Sequence, residues 1–210
     1  MKKILLCIIC ILAFVLPVPS QTLFGTTFNG GKDGGGTINK FIPSSNNLIV
    51  VKSLEGLAAH PYYTNLIQAS DGKLYGMTSD GGINDGGVFF SLDASTFAYT
   101  TLKNFDNISG SNPLGSLMLA KDGKLYGMTS EGGSNGGGVI FSFDPSSATY
   151  TKLKDFDYTD GFSPSGKLMQ ANDGKLYGMT PAGGINNVGV IFSFDLLSST
   201  YTKLKDFDNE

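Results

Sequence analysis

The 210-residue sequence has no arginine and no tryptophan, a single histidine, and two cysteines that both lie within the first ten residues. Each absence removes a class of chemistry. Every basic residue is a lysine and the formal net charge is −3. The chain therefore offers neither the basic patch nor the guanidinium forks with which proteins hold phosphates and guanine, and nucleic acid is excluded as a partner. One imidazole, His60, cannot build a His-rich metal site. Cys7 and Cys10 belong to an apolar N-terminal segment. A chain that loses this segment has no thiol for a disulfide, a nucleophile or a zinc-thiolate centre. No Gly-x-Ser-x-Gly nucleophile elbow occurs either. The sequence points to no cofactor, no metal and no catalytic residue.

The N-terminal segment has three parts. Lys2 and Lys3 form a basic start, Ile4 to Leu16 is an apolar run, and Val18-Pro19-Ser20 offers small residues before a cleavage point. This is the layout of a secretory signal peptide, residues 1–20, with cleavage after Ser20. The run is shorter than the ~20 residues that span a bilayer, so no membrane span is expected in the mature chain; an uncleaved anchor is the alternative. The mature chain, 21–210, has 13 lysines against 18 acids, a net charge of −5. A secreted or cell-surface location is expected. Without disulfides, such a chain must be held by burial and backbone pairing, which requires more than a minimal core.

What the sequence has in abundance is self-similarity. Asp71-Gly72-Lys73-Leu74-Tyr75-Gly76-Met77-Thr78 returns as residues 122–129 and again as 173–180, a step of 51 each time. One step back, Leu23-Phe24-Gly25-Thr26-Thr27 is a degenerate fourth copy. The glycine pairs, the apolar runs Val88–Asp93, Val139–Asp144 and Val190–Asp195, and the Asn/Asp-Phe-Asp phrases follow the same register, and no gap is needed in any copy. Repeats of this length indicate stacked units that share one core.

One unit reads as four strands. Leu117 to Ala120 is strand a, Lys124 to Thr129 strand b, Val139 to Asp144 strand c and Thr149 to Phe156 strand d. They are separated by an Asp-Gly turn, a glycine-rich loop and an Asp-Pro turn. The fold class is all-β: a β-propeller-like array of four-stranded antiparallel blades, with an open solenoid as the alternative. The repeat domain divides into a partial blade 21–55 and blades 56–106, 107–157 and 158–208. The first lacks strand a, so the array is expected to be an incomplete ring, with self-association through open blade edges.

The phrase Asp122-Gly123-Lys124-Leu125-Tyr126-Gly127-Met128-Thr129-Ser130-Glu131-Gly132-Gly133 resembles the GloVer tandem repeat of bacterial secreted proteins, the "choice-of-anchor" family, over residues 23–210. The double glycine, apolar strand and Asp144-Pro145 with Tyr150 are similar to kelch repeats, although kelch repeats usually carry Trp where Tyr150 stands. The resemblance implies bacterial export and a propeller-like fold. It implies no chemistry. No C-terminal anchor is read before Glu210.

Residue roles follow from recurrence. Asp71, Asp122 and Asp173, like Asp93, Asp144 and Asp195, occupy one repeat position each, which marks turn acids rather than a singular catalytic acid. Gly25, Gly76, Gly127 and Gly178 within strand b, and Gly82, Gly133 and Gly184 after it, are structural repeat glycines. Tyr75/Met77, Tyr126/Met128 and Tyr177/Met179 form core between blades. Asp85 becomes Gly136 and Asn187, so the b–c loops do not carry a repeated calcium ligand set. The loops that vary are b–c and d–a, which a four-stranded meander places on one face. Candidate ligand-face residues are His60, Tyr62, Asn84, Asp85, Asn112, Asn135, Asp160, Phe162, Asn186 and Asn187. The expected function is an extracellular binding or adhesion module for a glycan or a cell-surface protein. A glycan-active hydrolase or lyase and a purely structural surface repeat are the alternatives.

Overall fold

A computed structural model describes residues 22–54, 60–62 and 64–208; the expected signal segment and its cleavage point lie outside them. Among the described residues, fifteen strands form four antiparallel sheets, each a meander of sequence neighbours. The first sheet holds β1 (Leu23–Thr27), β2 (Thr37–Ile42) and β3 (Asn47–Ser53). The second holds β4 (Ile67–Gln68), β5 (Leu74–Thr78), β6 (Val88–Leu92) and β7 (Tyr99–Asn104). The third holds β8 (Met118–Leu119), β9 (Leu125–Thr129), β10 (Val139–Asp144) and β11 (Thr149–Asp155). The fourth holds β12 (Met169–Gln170), β13 (Leu176–Thr180), β14 (Val190–Asp195) and β15 (Thr200–Asp206). The expected all-β array of blades is what forms. The innermost strand shrinks to two residues, and a 3-10 turn at Pro43–Ser45 is the one helical element among the described residues.

Local chemistry explains the turns. The Asp122 carboxylate accepts the Lys124 amide at 3.0 Å and the Tyr126 hydroxyl at 2.7 Å, while Gly123 takes φ +80. Asp71 with Tyr75 and Asp173 with Tyr177 repeat the arrangement. At the c–d turn, Asp144 accepts the Ser146 amide at 2.9 Å and its hydroxyl at 2.6 Å, as Asp93 does with Ser95. These recurring acids close turns. Each c–d pairing also slips by one residue: Ile140 faces Lys154 but Phe141 faces Lys152. Leu153 is left as a bulge and packs on the core between the third and fourth blades.

Blades stack through alternate faces. Tyr75, Met77 and Phe89 of the second blade meet Leu125, Phe141 and Phe143 of the third, with Phe89 and Phe143 edge to face at 4.8 Å. Tyr126, Met128 and Ile140 on the other face of the third blade meet Leu176, Phe192 and Phe194 of the fourth. Ile38 and Leu54 of the first blade meet Leu74, Phe90 and Leu92 of the second. Phe141 is fully buried, and removing a ring of this kind costs about 3–5 kcal/mol. The Phe141 ring lies across Gly127, where a Cβ would approach Phe141 Cζ to 2.5 Å; Gly76 stands at 2.6 Å from Phe90 in the same way. Gly25 meets nothing within 4 Å, because Asn39 replaces the phenylalanine.

Two sequence expectations change. The gapless register hides a compensated slip. Pro61 lies against Gly36 as Pro113 lies against Gly87, a step of 52, whereas Leu66 and Leu117 keep the step of 51 beside Gly76 and Gly127. The first d–a loop is therefore one residue shorter before its proline and one longer after it. The expected inter-blade core also stops short in the last blade. Met179 is 59% exposed, although Met77 and Met128 are buried. The arc is open, and no described residue covers the outer faces of its end blades.

Candidate functional site

The d–a loops and b–c loops share one face because they are hydrogen bonded to each other. The Asn112 amide donates to the Gly86 carbonyl at 2.7 Å, the Ser163 amide to Gly137 at 2.9 Å, and the Gly184 amide to Tyr158 at 2.8 Å. The b–c loop tips are tied to the end of strand d. Asn104, Asp155 and Asp206 accept the amides of Ile83, Ser134 and Ile185 at 3.1, 2.9 and 2.8 Å. The Asp155 carboxyl is held below its usual range: burial opposes ionisation, but Lys152 at 2.8 Å and the Ser134 amide outweigh it.

Most of the candidate polar residues hold this frame together. Asn84 and Asn186 donate from their side-chain amides to the carbonyls of Phe105 and Phe207 at 3.3 and 3.0 Å. Asp85 and Asn187 accept the amides of Gly81 and Gly183 at 3.0 Å. Both sit at positive φ, +55 and +54, and Gly136 takes +72 at the same loop position. What varies in type among Asp, Gly and Asn is thus constant in backbone conformation. Asp160 pairs with Lys154 and accepts the Asp157 amide at 3.0 Å. Asn135 is exposed at its loop tip.

His60 and Asn112 are equivalent once the slip is included. Both have positive φ, and both present a carbonyl to a serine amide and hydroxyl, of Ser79 and Ser130 respectively. Their side chains pair across the blade junction with an acid, His60 Nδ1 with Asp80 at 2.9 Å and Asn112 Nδ2 with Glu131 at 3.1 Å. His60 also meets Phe28 at 4.8 Å with the rings tilted by 35°, and Tyr62 meets Phe28 edge-on at 5.2 Å. Asp106 caps its loop through the amides of Ile108 and Ser109 and the Ser109 hydroxyl. Burial opposes ionisation there, yet these bonds and Lys103 bring its carboxyl down to about 2.

Beside the exposed polar residues of the loop tips stand exposed apolar ones. Ile83, Ile108, Tyr158 and Ile185 are 73%, 79%, 61% and 82% exposed. Tyr158 stacks on Phe162 at 4.1 Å with the rings 14° apart. None of these four is among the candidates read from the sequence, which are mostly polar and include Tyr62 and Phe162 as aromatic members. The signal was available in the apolar residue set between glycine and asparagine in Gly82-Ile83-Asn84 and Gly184-Ile185-Asn186.

Stacked four-stranded meanders with loops gathered on one face define a β-propeller-type repeat protein. Solved structures share the fold. TolB from Acinetobacter baumannii aligns at TM-score 0.54 and 16% identity over 88% of this chain. An extracellular domain from B. thetaiotaomicron aligns at 0.58 and 13% over 83%, and the nidogen/laminin complex at 0.53 and 13% over 86%. The chain spans 41%, 21% and 57% of those chains' own lengths. No functionally curated protein matches it. The Gloeobacter/Verrucomicrobia repeat matches residues 16–210, and the chain belongs to that family.

Proposed function

We infer that the chain is an extracellular binding module that docks a protein or glycan surface on its b–c/d–a loop face. The observation that carries this reading is the set of four exposed apolar tips, Ile83, Ile108, Tyr158 and Ile185, on loops whose backbones are fixed from beneath. Rigid loops lose little entropy when they bind, and apolar tips supply contact area on a face otherwise closed by its own hydrogen bonds. The N-terminal segment supports export, and the intact mass of the secreted protein tests it: a chain beginning at Gln21 is expected, and retention of Cys7 and Cys10 would favour the anchor.

Binding is tested by screening the secreted chain on glycan arrays and on displayed bacterial surface proteins, then repeating any positive with Ile83→Ser, Ile108→Ser, Tyr158→Ala and Ile185→Ser combined. The variant is expected to lose binding while each exposed change shifts stability by less than about 0.5 kcal/mol. Leu197→Ser, on the opposite c–d turn, should leave binding intact. Binding that survives the fourfold variant would rule out this face.

A further inference from the structure

We propose that the outer face of the last blade is a docking surface for one further blade of the same repeat, placed next along the arc. The inference is independent of the loop-face reading. Its basis is that this face repeats, position for position, two faces that the molecule already covers. Met169, Tyr177, Met179, Ile191, Leu204 and Lys205 stand 51 residues after Met118, Tyr126, Met128, Ile140, Leu153 and Lys154. The earlier set lies against the fourth blade; in the later set Met169 and Met179 are 60% and 59% exposed.

Two details are specific to a blade as the occupant, rather than to any apolar partner. In each junction a strand d lysine sits over a strand d tyrosine of the next blade: Lys52 over Tyr99 at 5.6 Å, Lys103 over Tyr150 at 5.4 Å and Lys154 over Tyr201 at 5.0 Å. Lys205 continues the series with no ring beneath it among the described residues. Gly115 is likewise a glycine because the Gly166 backbone carbonyl of the next blade lies where its Cβ would be. Gly166 holds the equivalent place and meets nothing within 4 Å. The last blade thus keeps a lysine and a glycine whose counterparts in the third blade, Lys154 and Gly115, are met by the following blade.

The occupant must present the complementary face, with Leu, Val, Phe, Phe and Tyr where the fourth blade has Leu176, Val190, Phe192, Phe194 and Tyr201. The uncovered face of that kind on this chain belongs to the first blade, and it does not match. Thr37, Asn39 and Leu48 replace the valine, the first phenylalanine and the tyrosine. The Thr27 and Thr37 hydroxyls bond at 2.7 Å and Asn39 donates to Thr37 at 2.8 Å. Polar outer faces are how terminal repeats are capped, so a second copy meeting the fourth blade head to tail would set a polar network against an apolar face.

The test reads methionine oxidation by dilute peroxide, residue by residue, in the whole chain and in the whole chain extended by a copy of residues 158–208. Within the copy, Met169→Gln and Met179→Gln remove its own signals. In the unextended chain Met169 and Met179 should oxidise at least about tenfold faster than Met77 and Met128, and in the extended chain they should slow to the rate of Met118 and Met128. A second extension with Phe192→Asn in the copy, which imitates Asn39, should restore their reactivity. Unchanged reactivity in the extended chain, or protection that persists with Phe192→Asn, would overturn the proposal. So would protection in the unextended chain. If that rises with concentration together with a doubled mass by light scattering, the occupant is a second copy; if it is independent of concentration, the face is covered from within.

Discussion

Gly127 and Gly25 occupy the same repeat position and differ in what a side chain would meet. At Gly127 the Phe141 ring blocks a Cβ at 2.5 Å; at Gly25 the space is open. Gly127→Ala should therefore destabilise by about 1–3 kcal/mol through overpacking. Gly25→Ala should be neutral or stabilise by up to ~1 kcal/mol, because it only removes unfolded-state freedom. Urea midpoints of the two variants would decide; equal losses would contradict the ring-over-glycine packing. The recurrence of the glycine is plain in the sequence, but its reason is a cross-strand contact with a residue 14 positions away, and Asn39 removes that reason in one copy. Asp106 makes a second prediction at this scale. Its folded pKa, about 2, lies below the ordinary 3.8. It therefore contributes stability above pH ~4 that is lost as pH falls towards 2. Urea midpoints measured from pH 5 to 2 should fall less steeply in Asp106→Asn than in the parent, and an identical pH dependence would contradict the loop cap.

At the level of the element, the b–c loop is specified by a conformation rather than by a residue type. Asp85, Gly136 and Asn187 all take positive φ, a region that Gly, Asn and Asp enter most readily. Asp85→Gly should stay within about 0.5–1.5 kcal/mol of the parent, the worth of the lost Gly81 hydrogen bond. Asp85→Val adds backbone strain of about 1–3 kcal/mol. Comparing their thermal midpoints checks this, and Val as tolerated as Gly would refute it. Strands b and c and their turns were legible in the sequence because a twelve-residue phrase recurs in register. The c–d bulge at Leu153 was not, since an unpaired residue inside a run that alternates lysine and leucine leaves no compositional mark. The slip around Pro61 was hidden for a different reason: a loss on one side of the proline is cancelled by a gain on the other. The sequence points to the b–c and d–a loops by their variation and names mainly their polar residues. Asn and Asp in these loops mostly bond to their own backbone, which leaves the neighbouring isoleucines and Tyr158 outward.

For the whole molecule, stability is distributed over three blade junctions, and no disulfide can join distant parts once Cys7 and Cys10 are removed. The outer face of the first blade carries a polar network, which disfavours head-to-tail pairing of copies. Sedimentation of the 21–210 chain should show one copy, and a species of doubled mass would contradict that expectation. Burial is uneven along the arc. The middle strands β5 and β9 are buried at every residue, whereas β1 and β13 are not. Each blade answers only to its neighbours, so the ends open at lower free energy than the centre. A protease acting on these openings would not nick the chain at random. It would trim whole blades from the outside inwards, and the surviving fragments would form a ladder whose rungs are one repeat apart.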